Sequence, residues 1–167
     1  MTNFVLVHGA WHGGWCWTRV APLLRLAGHE VFAPTLTGLG ERAHLASADV
    51  NLETHIADIL GVLESEELED IVLCGHSYGG MVITGVAQRA AERIGTLVFL
   101  DAFVPENGQS VLQLMGTERA QSIRNQASRT GDGWRIDPMP VEVFQVRDAS
   151  DAAWIDRRCV PQPIATF

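Results

Sequence analysis

A serine between two glycines, in the stretch Gly75–Gly80 (GHSYGG), is the residue of this chain best placed to do chemistry. An apolar run, Ile71–Cys74, precedes it, and a helical pattern from Met81 to about Arg93 follows. Strand, G-x-S-x-G and helix in this order form a nucleophile elbow, a sharp turn that lifts a serine hydroxyl above a sheet. Ser77 is therefore a candidate nucleophile.

The surroundings of Ser77 favour the same chemistry. Glycines stand two positions before and after it, where a Cβ would collide with the turn. The helix that begins just after Ser77 brings backbone N–H groups and the positive end of its dipole to the place where an oxyanion would develop. A bare G-x-S-x-G also occurs by chance, so the prediction depends on the strand and the helix around it.

Composition excludes several classes of function. The 167 residues suffice for one domain, and 47% hydrophobic with 19% charged residues is typical of a soluble globular protein. The net charge of −8, with 12 arginines, no lysines and 20 acids, argues against nucleic acid or a membrane as partner. Three widely spaced cysteines indicate neither a zinc site nor a disulfide framework.

The N-terminal residues are predicted to belong to the fold. Their apolar run, Phe4–Val7, is short and has no basic segment before it, so we expect a strand there and no signal peptide. No stretch approaches the length of a membrane span. A cytoplasmic location is the expectation that follows.

Strands and helices alternate over the first hundred residues. Strands are predicted at Asn3–Val7, Glu30–Ala33, Ile71–Cys74 and Thr96–Leu100, and helices at Trp17–Ala27, Asn51–Glu64 and Met81–Arg93. This order and the apolar strands predict an α/β fold with a parallel, doubly covered sheet. His8, Ser77 and Asp101 each follow a strand, so we expect them at one rim.

The pattern changes after residue 102. A helix is predicted at Ser110–Ala127, a short strand at Trp134–Ile136 and a short helix at Ser150–Arg158. We interpret residues 1–102 as the core and 103–167 as a cap or lid over the site. A loosely packed C-terminal extension is the alternative.

Two longer stretches carry a family resemblance. Phe4–Trp15 (FVLVHGAWHGGW) and Gly75–Val82 (GHSYGGMV) resemble the α/β-hydrolase superfamily. More narrowly, they are similar to the branch that holds plant methyl esterases, hydroxynitrile lyases and bacterial esterase relatives. Val98–Pro105 and Pro161–Phe167 also resemble bacterial members. The resemblance spans the whole chain.

The resemblance implies roles for particular residues. Ser77 would be the nucleophile, and the backbone N–H groups of Ala10 and Tyr78 would form the oxyanion hole. Residues expected to brace the site are His8, Gly9, His12, Gly75, His76 and Gly79. The candidates to line a substrate pocket are Trp134, Met139 and Phe144, although packing of the cap explains them equally well.

His8 and His12 admit a second interpretation as metal ligands, because they are four residues apart. Glycines surround them and the glutamate of an H-E-x-x-H motif is missing, which argues against a metal site. We therefore predict neither metal nor cofactor, and expect both histidines to make hydrogen bonds that support the loop.

The chain departs from its resemblance in one respect. Complete relatives place the triad acid and the triad histidine after two further strands, whereas no histidine follows His76 here. We expect those C-terminal core strands to be absent from this chain, leaving an exposed apolar sheet edge. The base would come from further residues of a longer protein, from a second chain, or from a rewired site that uses His8 or His12. Asp101 is the alternative acid in a rewired site, and a buried hydrogen bond at the cap hinge is its competing role.

These observations lead to one expected function and two alternatives. We expect a serine esterase that hydrolyses a small, largely apolar carboxylic ester through an acyl-enzyme on Ser77. A hydroxynitrile lyase is the first alternative, although such relatives tend to carry a threonine where Ala10 stands and a lysine near the site. A non-catalytic ligand-binding homologue is the second. The expected partner is a small-molecule ester. The sequence leaves open whether the chain forms a homo-oligomer.

Overall fold

Four parallel strands form the central sheet of the computed structural model, which describes residues 1–167. They are β1 (Asn3–Val7), β2 (Glu30–Phe32), β3 (Ile71–His76) and β4 (Ile94–Leu100). Their order in space is β2-β1-β3-β4, and each adjacent pair is parallel. The predicted parallel α/β architecture is confirmed.

Helices cover both faces of this sheet. Those on the faces are α1 (Ala21–Leu26), α2 (Leu52–Ser65) and α3 (Gly79–Ala87), and further along the chain lie α4 (Val111–Met115), α5 (Thr117–Thr130) and α6 (Ala149–Asp156). On one face, Leu6 and Cys74 pack with Ala21 of α1, while on the other Val5 and Leu73 belong to the cluster that includes α2 and α3. None of these helices combines the length and hydrophobicity that crossing a membrane requires.

Local sequence signals set several helix ends. The side chain of Asn51 accepts a hydrogen bond from the N–H of Thr54, whose hydroxyl in turn accepts from the N–H of Asn51, so a capping box starts α2. Gly28 has φ +87° just after α1, a left-handed conformation that suits glycine and ends the helix. Pro22 delays the first helix to Ala21, and residues Gly14–Trp17 before it form a 3-10 helix.

Three predictions about helices are wrong. The first helix has six residues, Ala21–Leu26, and is shorter than the predicted Trp17–Ala27. It packs on the sheet through Ala21, while Leu23 is 66% exposed. The helix after the elbow ends at Ala87, short of Arg93, although Val82 and Val86 are buried as expected. The predicted helix at 110–127 is two helices, since Gly116 has φ +83° and interrupts the helical backbone.

The region from residue 103 onward packs against the sheet. Its strands β5 (Arg135–Ile136) and β6 (Gln162–Pro163) form an antiparallel pair. Residues of this region that share one hydrophobic cluster with the sheet are Val111, Leu112, Ala120, Ala127, Ile136 and Phe167. The alternative of a loosely packed extension is therefore wrong, whereas a core boundary at residue 102 and a lid role for 103–167 stay predictions.

Strand β4 is open at its outer edge. It pairs with β3 alone, and the apolar side chains of its second half remain accessible, from 36% exposed at Val98 to 48% at Leu100. The expected apolar sheet edge is confirmed. Because an unpaired strand offers free N–H and C=O groups next to apolar side chains, it is a template for pairing with another strand.

Self-association through β4 is the first testable prediction. The 18.2 kDa chain should form oligomers or aggregates at micromolar concentration, and Val98→Arg on this edge should shift it toward monomer. Leu26→Arg, at an 85% exposed position of α1, is the matched control and should leave association unchanged. Sedimentation velocity measures both. A monomeric wild-type chain with a sharp, reversible melt would contradict the prediction.

Candidate active site

Ser77 lies in a strained turn between β3 and α3. Its φ of +52° is the left-handed conformation, which non-glycine residues adopt rarely and at a cost of about 1–3 kcal/mol. The N–H of Ser77 donates to the carbonyl of Leu100 at 3.3 Å, and its carbonyl accepts from the N–H of Phe103 at 3.1 Å. The turn is thus fastened to the end of β4, which is the geometry that a nucleophile elbow requires.

The glycines on either side of Ser77 are required by close backbone contacts. A Cβ on Gly75 would lie 2.6 Å from the carbonyl oxygen of Gly79, and a Cβ on Gly79 would lie 2.7 Å from the carbonyl oxygen of Val7. These distances are well inside van der Waals contact, and the obstructing atoms are backbone. The collision inferred from the motif therefore occurs at both positions.

The loop after β1 packs directly on this turn; we call residues His8–His12 the oxyanion loop. A Cβ on Gly9 would lie 3.2 Å from Cβ of Ser77 and 2.9 Å from Nδ1 of His76. Such an approach is open only to glycine. The structure therefore brings the two motifs of the sequence together at one rim of the sheet.

His8 binds the loop backbone through both of its ring nitrogens. Its Nε2 accepts the N–H of Leu36 at 3.0 Å, so Nδ1 carries the proton and donates to the carbonyl of Gly9 at 2.8 Å. Complete burial lowers the pKa of His8 from 6.5 to about 3, which keeps the ring neutral. With both nitrogens engaged, His8 is not available to take a proton from Ser77, as a rewired site would require.

His12 supports the same loop from its other end. Its Nδ1 donates to the carbonyl of Ala10 at 2.6 Å, and its ring stacks on Trp15 at 5.1 Å between centroids. Burial lowers the pKa of His12, against the opposing effect of the Ala10 carbonyl. Both histidines thus make the kind of hydrogen bonds that bracing the loop needs.

His55, which the sequence analysis missed, anchors Tyr78. Its Nε2 donates to the carbonyl of Thr37 at 2.9 Å, so Nδ1 must accept from the Tyr78 hydroxyl at 2.8 Å. Burial raises the pKa of Tyr78 and lowers that of His55, so both groups stay neutral. The sequence does contain a sign of this role, because His55 falls on the apolar face of α2. A polar side chain buried there needs a hydrogen-bond partner.

Two backbone N–H groups near Ser77 have no partner. Neither the N–H of Ala10 nor that of Tyr78 makes a hydrogen bond in the structure, although both residues are buried. Because no protein group satisfies them, both N–H groups are free to donate to an oxygen of a bound molecule. They are the two donors that the sequence analysis assigns to an oxyanion hole.

His76 precedes Ser77 in the turn, and Asp101 follows the end of β4. His76 is half-buried and meets Trp17 edge-on at 6.5 Å, and burial lowers its pKa while the charge of Asp101 opposes the shift. Asp101 is exposed, and its carboxylate makes no hydrogen bond in the structure. The competing role, a buried hydrogen bond at the cap hinge, is therefore wrong, because the side chain lies in solvent.

The three candidate pocket residues occupy different places. Phe144 meets His12 edge-on at 5.7 Å, which brings it to the oxyanion loop. Trp134 lies 5.0 Å under the guanidinium of Arg135, and Met139 packs against the main hydrophobic cluster. A cavity of about 400 Å³ on the α2–α3 side is lined by Phe167 among others, and Ser77 is not part of its wall.

Known proteins resemble this chain over its full length. Residues 4–167 match the Alpha/beta hydrolase family. A carbendazim hydrolyzing esterase of Nocardioides sp. is 52% identical over 174 residues, covering 100% of this chain and 72% of that protein. Methylesterase 1 of Arabidopsis thaliana is 37% identical over 124 residues, covering 71% of this chain and 47% of that relative. A solved extracellular alpha/beta-hydrolase from a Paenibacillus species has a TM-score of 0.87 at 30% identity, covering 97% of this chain and 67% of that one.

A methyl group at the elbow should destabilise the fold. Gly75→Ala is expected to lower the free energy of unfolding by roughly 1–3 kcal/mol or more, because the carbonyl of Gly79 cannot move aside. Gly61→Ala is the matched control, with nothing within 4 Å of the added Cβ, and should stabilise by about 0.5–1 kcal/mol. Urea unfolding compares them, and equal effects of the two substitutions would contradict the steric explanation.

Acid should destabilise the protein through His8. Between its folded pKa of about 3 and the ordinary value of 6.5, the unfolded chain binds a proton that the folded chain does not. Titration of His8 therefore leaves the free energy of unfolding at its full value above about pH 6.5, and lowers it as the pH falls toward 3. The destabilisation caused by His8→Gln should consequently be smaller at pH 4.5 than at pH 7.5, by about 3 kcal/mol.

Urea unfolding at the two pH values measures this difference. Ile59→Val, a fully buried position without a titrating group, is the control, and its effect should be the same at both. An effect of His8→Gln that does not change with pH would show that the fold does not lower the pKa of His8, and would contradict the prediction.

Proposed function

Because this chain belongs to the alpha/beta hydrolase family, we propose that it hydrolyses a small, largely apolar carboxylic ester through an acyl-enzyme on Ser77. The observation that carries the proposal is the strained, left-handed Ser77 beside the unpaired N–H groups of Ala10 and Tyr78. Strain of this kind persists where the surrounding structure enforces it, and it concentrates at active sites. The esterase relatives give independent support for ester hydrolysis.

The proposed reaction begins with attack of Ser77 Oγ on the ester carbonyl carbon. The carbonyl oxygen becomes an oxyanion that accepts hydrogen bonds from the N–H groups of Ala10 and Tyr78. Collapse of this intermediate expels the alcohol, and water then hydrolyses the acyl-serine. Each oxyanion donor contributes about 3 kcal/mol of transition-state stabilisation in comparable hydrolases.

The hydroxyl proton of Ser77 needs a general base. His8 and His55 use both ring nitrogens in hydrogen bonds, and Nδ1 of His12 is taken by Ala10. The resemblance places the base histidine after the region that corresponds to this chain. The chain spans 72% of the Nocardioides esterase and 47% of the plant methylesterase, so the proposal includes a histidine supplied by further residues or by a second chain.

Active-site labelling tests the role of Ser77. In a protein that supplies the base histidine, treatment with a fluorophosphonate should add one adduct, mapped to Ser77 by peptide mass spectrometry, and Ser77→Ala should abolish it. The same substitution should lower hydrolysis of a p-nitrophenyl ester by at least about a thousandfold. Ser122→Ala, at an exposed serine of α5, is the matched control and should retain both properties.

Substrate assays separate the candidate functions. Release of alcohol from methyl esters or p-nitrophenyl esters supports the proposal, and carbendazim belongs on the panel because of the Nocardioides relative. Cyanide release from mandelonitrile without ester hydrolysis would favour a hydroxynitrile lyase. Tight binding of an ester without labelling or turnover, in a protein that carries the base histidine, would favour a non-catalytic binding protein.

A further inference from the structure

We infer that Gln162 is a positioning residue that holds the oxyanion loop in the conformation that presents the Ala10 N–H to the reacting carbonyl. The inference rests on the proposed function, since it assigns that N–H to the oxyanion hole. Gln162 lies in β6, at the far end of the chain from the loop, and its side chain is 0% exposed.

Trp11 is the point at which Gln162 acts. The N–H of Trp11 donates to Oε1 of Gln162 at 2.8 Å, and the carbonyl of Trp11 accepts from the N–H of Val160 at 3.0 Å. Trp11 has φ +63°, a left-handed conformation that is unfavourable for a bulky residue. Such a backbone persists only where neighbours enforce it, and the 160–162 segment binds both of its polar groups.

The orientation of the Gln162 amide follows from its second contact. Its Nε2 lies 2.7 Å from the hydroxyl oxygen of Thr166, and that hydroxyl donates its only proton to the carbonyl of Pro163 at 2.7 Å. The hydroxyl can therefore only accept from Gln162, so the NH₂ group must face Thr166. Oxygen Oε1 is then the atom that faces Trp11, which is the acceptor that an N–H needs.

The hydrogen bond to Trp11 controls the direction of the neighbouring donor. The carbonyl of Ala10 and the N–H of Trp11 belong to one planar peptide unit, held at the carbonyl by His12 and at the N–H by Gln162. The preceding peptide unit is held at the Gly9 carbonyl by His8, which leaves the N–H of Ala10 as its free group. Without Gln162 the Ala10–Trp11 unit would lose one of its two restraints.

Phe167 ties the same segment to the other proposed donor. Its ring lies 5.9 Å from that of Trp11 and stacks on Tyr78 at 5.6 Å with an interplanar angle of 5°. The residues from Val160 to Phe167 therefore contact both loops that carry the unpaired N–H groups. An apolar residue at position 162 would fill the same space, but it could not accept the hydrogen bond from the Trp11 N–H.

The test compares Gln162→Met, which keeps the length and loses the acceptor, with Gln162→Glu, which keeps an oxygen at the position of Oε1. In Gln162→Met, amide hydrogen exchange at Trp11, followed by NMR, should accelerate by at least about tenfold. With p-nitrophenyl acetate, kcat should fall about 10–100-fold while KM stays within about threefold, since the loss is confined to the transition state. Gln162→Glu should recover most of both properties at a pH where its carboxyl is protonated, because the neutral acid can accept from Trp11 and donate to the Thr166 hydroxyl.

Leu63→Val, at a buried position of α2, controls for a general loss of stability and should lower the melting temperature without either change. Unchanged exchange at Trp11 and unchanged kcat in Gln162→Met would overturn the inference. A wild-type protein that carries the base histidine and exchanges as expected, but shows no turnover on Ser77, would refute the proposed function, while the exchange data would still support the positioning of the loop by Gln162.

Discussion

The left-handed turn at Ser77 is the constraint on which the rest of this structure depends. It exists because Gly75 and Gly79 lack a Cβ, so that the start of α3 can approach the ends of β1 and β3 backbone to backbone. The same turn is hydrogen-bonded to Leu100 at the end of β4. Three strand ends therefore converge on one serine, and every neighbouring loop must pack around that point.

Neutral histidines are the second common feature of the site. His8, His12 and His55 are buried, and each hydrogen-bonds to a backbone carbonyl in a protonation state that burial favours. A charged imidazole would lack solvation there, so the rings serve as fixed donors and acceptors. Hydrogen bonds from neutral imidazole rings thus hold the backbone around Ser77, and none of these three rings carries a positive charge. Such fixed dipoles suit a preorganised oxyanion site.

Packing is uneven across the molecule. The region after residue 103 joins the sheet in one hydrophobic cluster, and its last residues reach the oxyanion loop through Gln162 and Val160. Strand β4 has no such cover, and its apolar side chains remain accessible on the outer side of the sheet. The site therefore lies between a well-packed half of the fold and an open edge.

The sequence by itself determined the alternation of strands and helices, the elbow at Ser77, the cap at Asn51 and the helix end at Gly28. Each follows from local rules: hydrophobic period, side-chain capping and the conformations that only glycine adopts freely. Only the tertiary structure decided which side of α1 is buried and which partners complete the site. Gln162 meets Trp11 across 151 positions, and His55 meets Tyr78 across 23. No local pattern encodes such pairs, because they form only when packing brings distant buried polar groups within hydrogen-bonding distance.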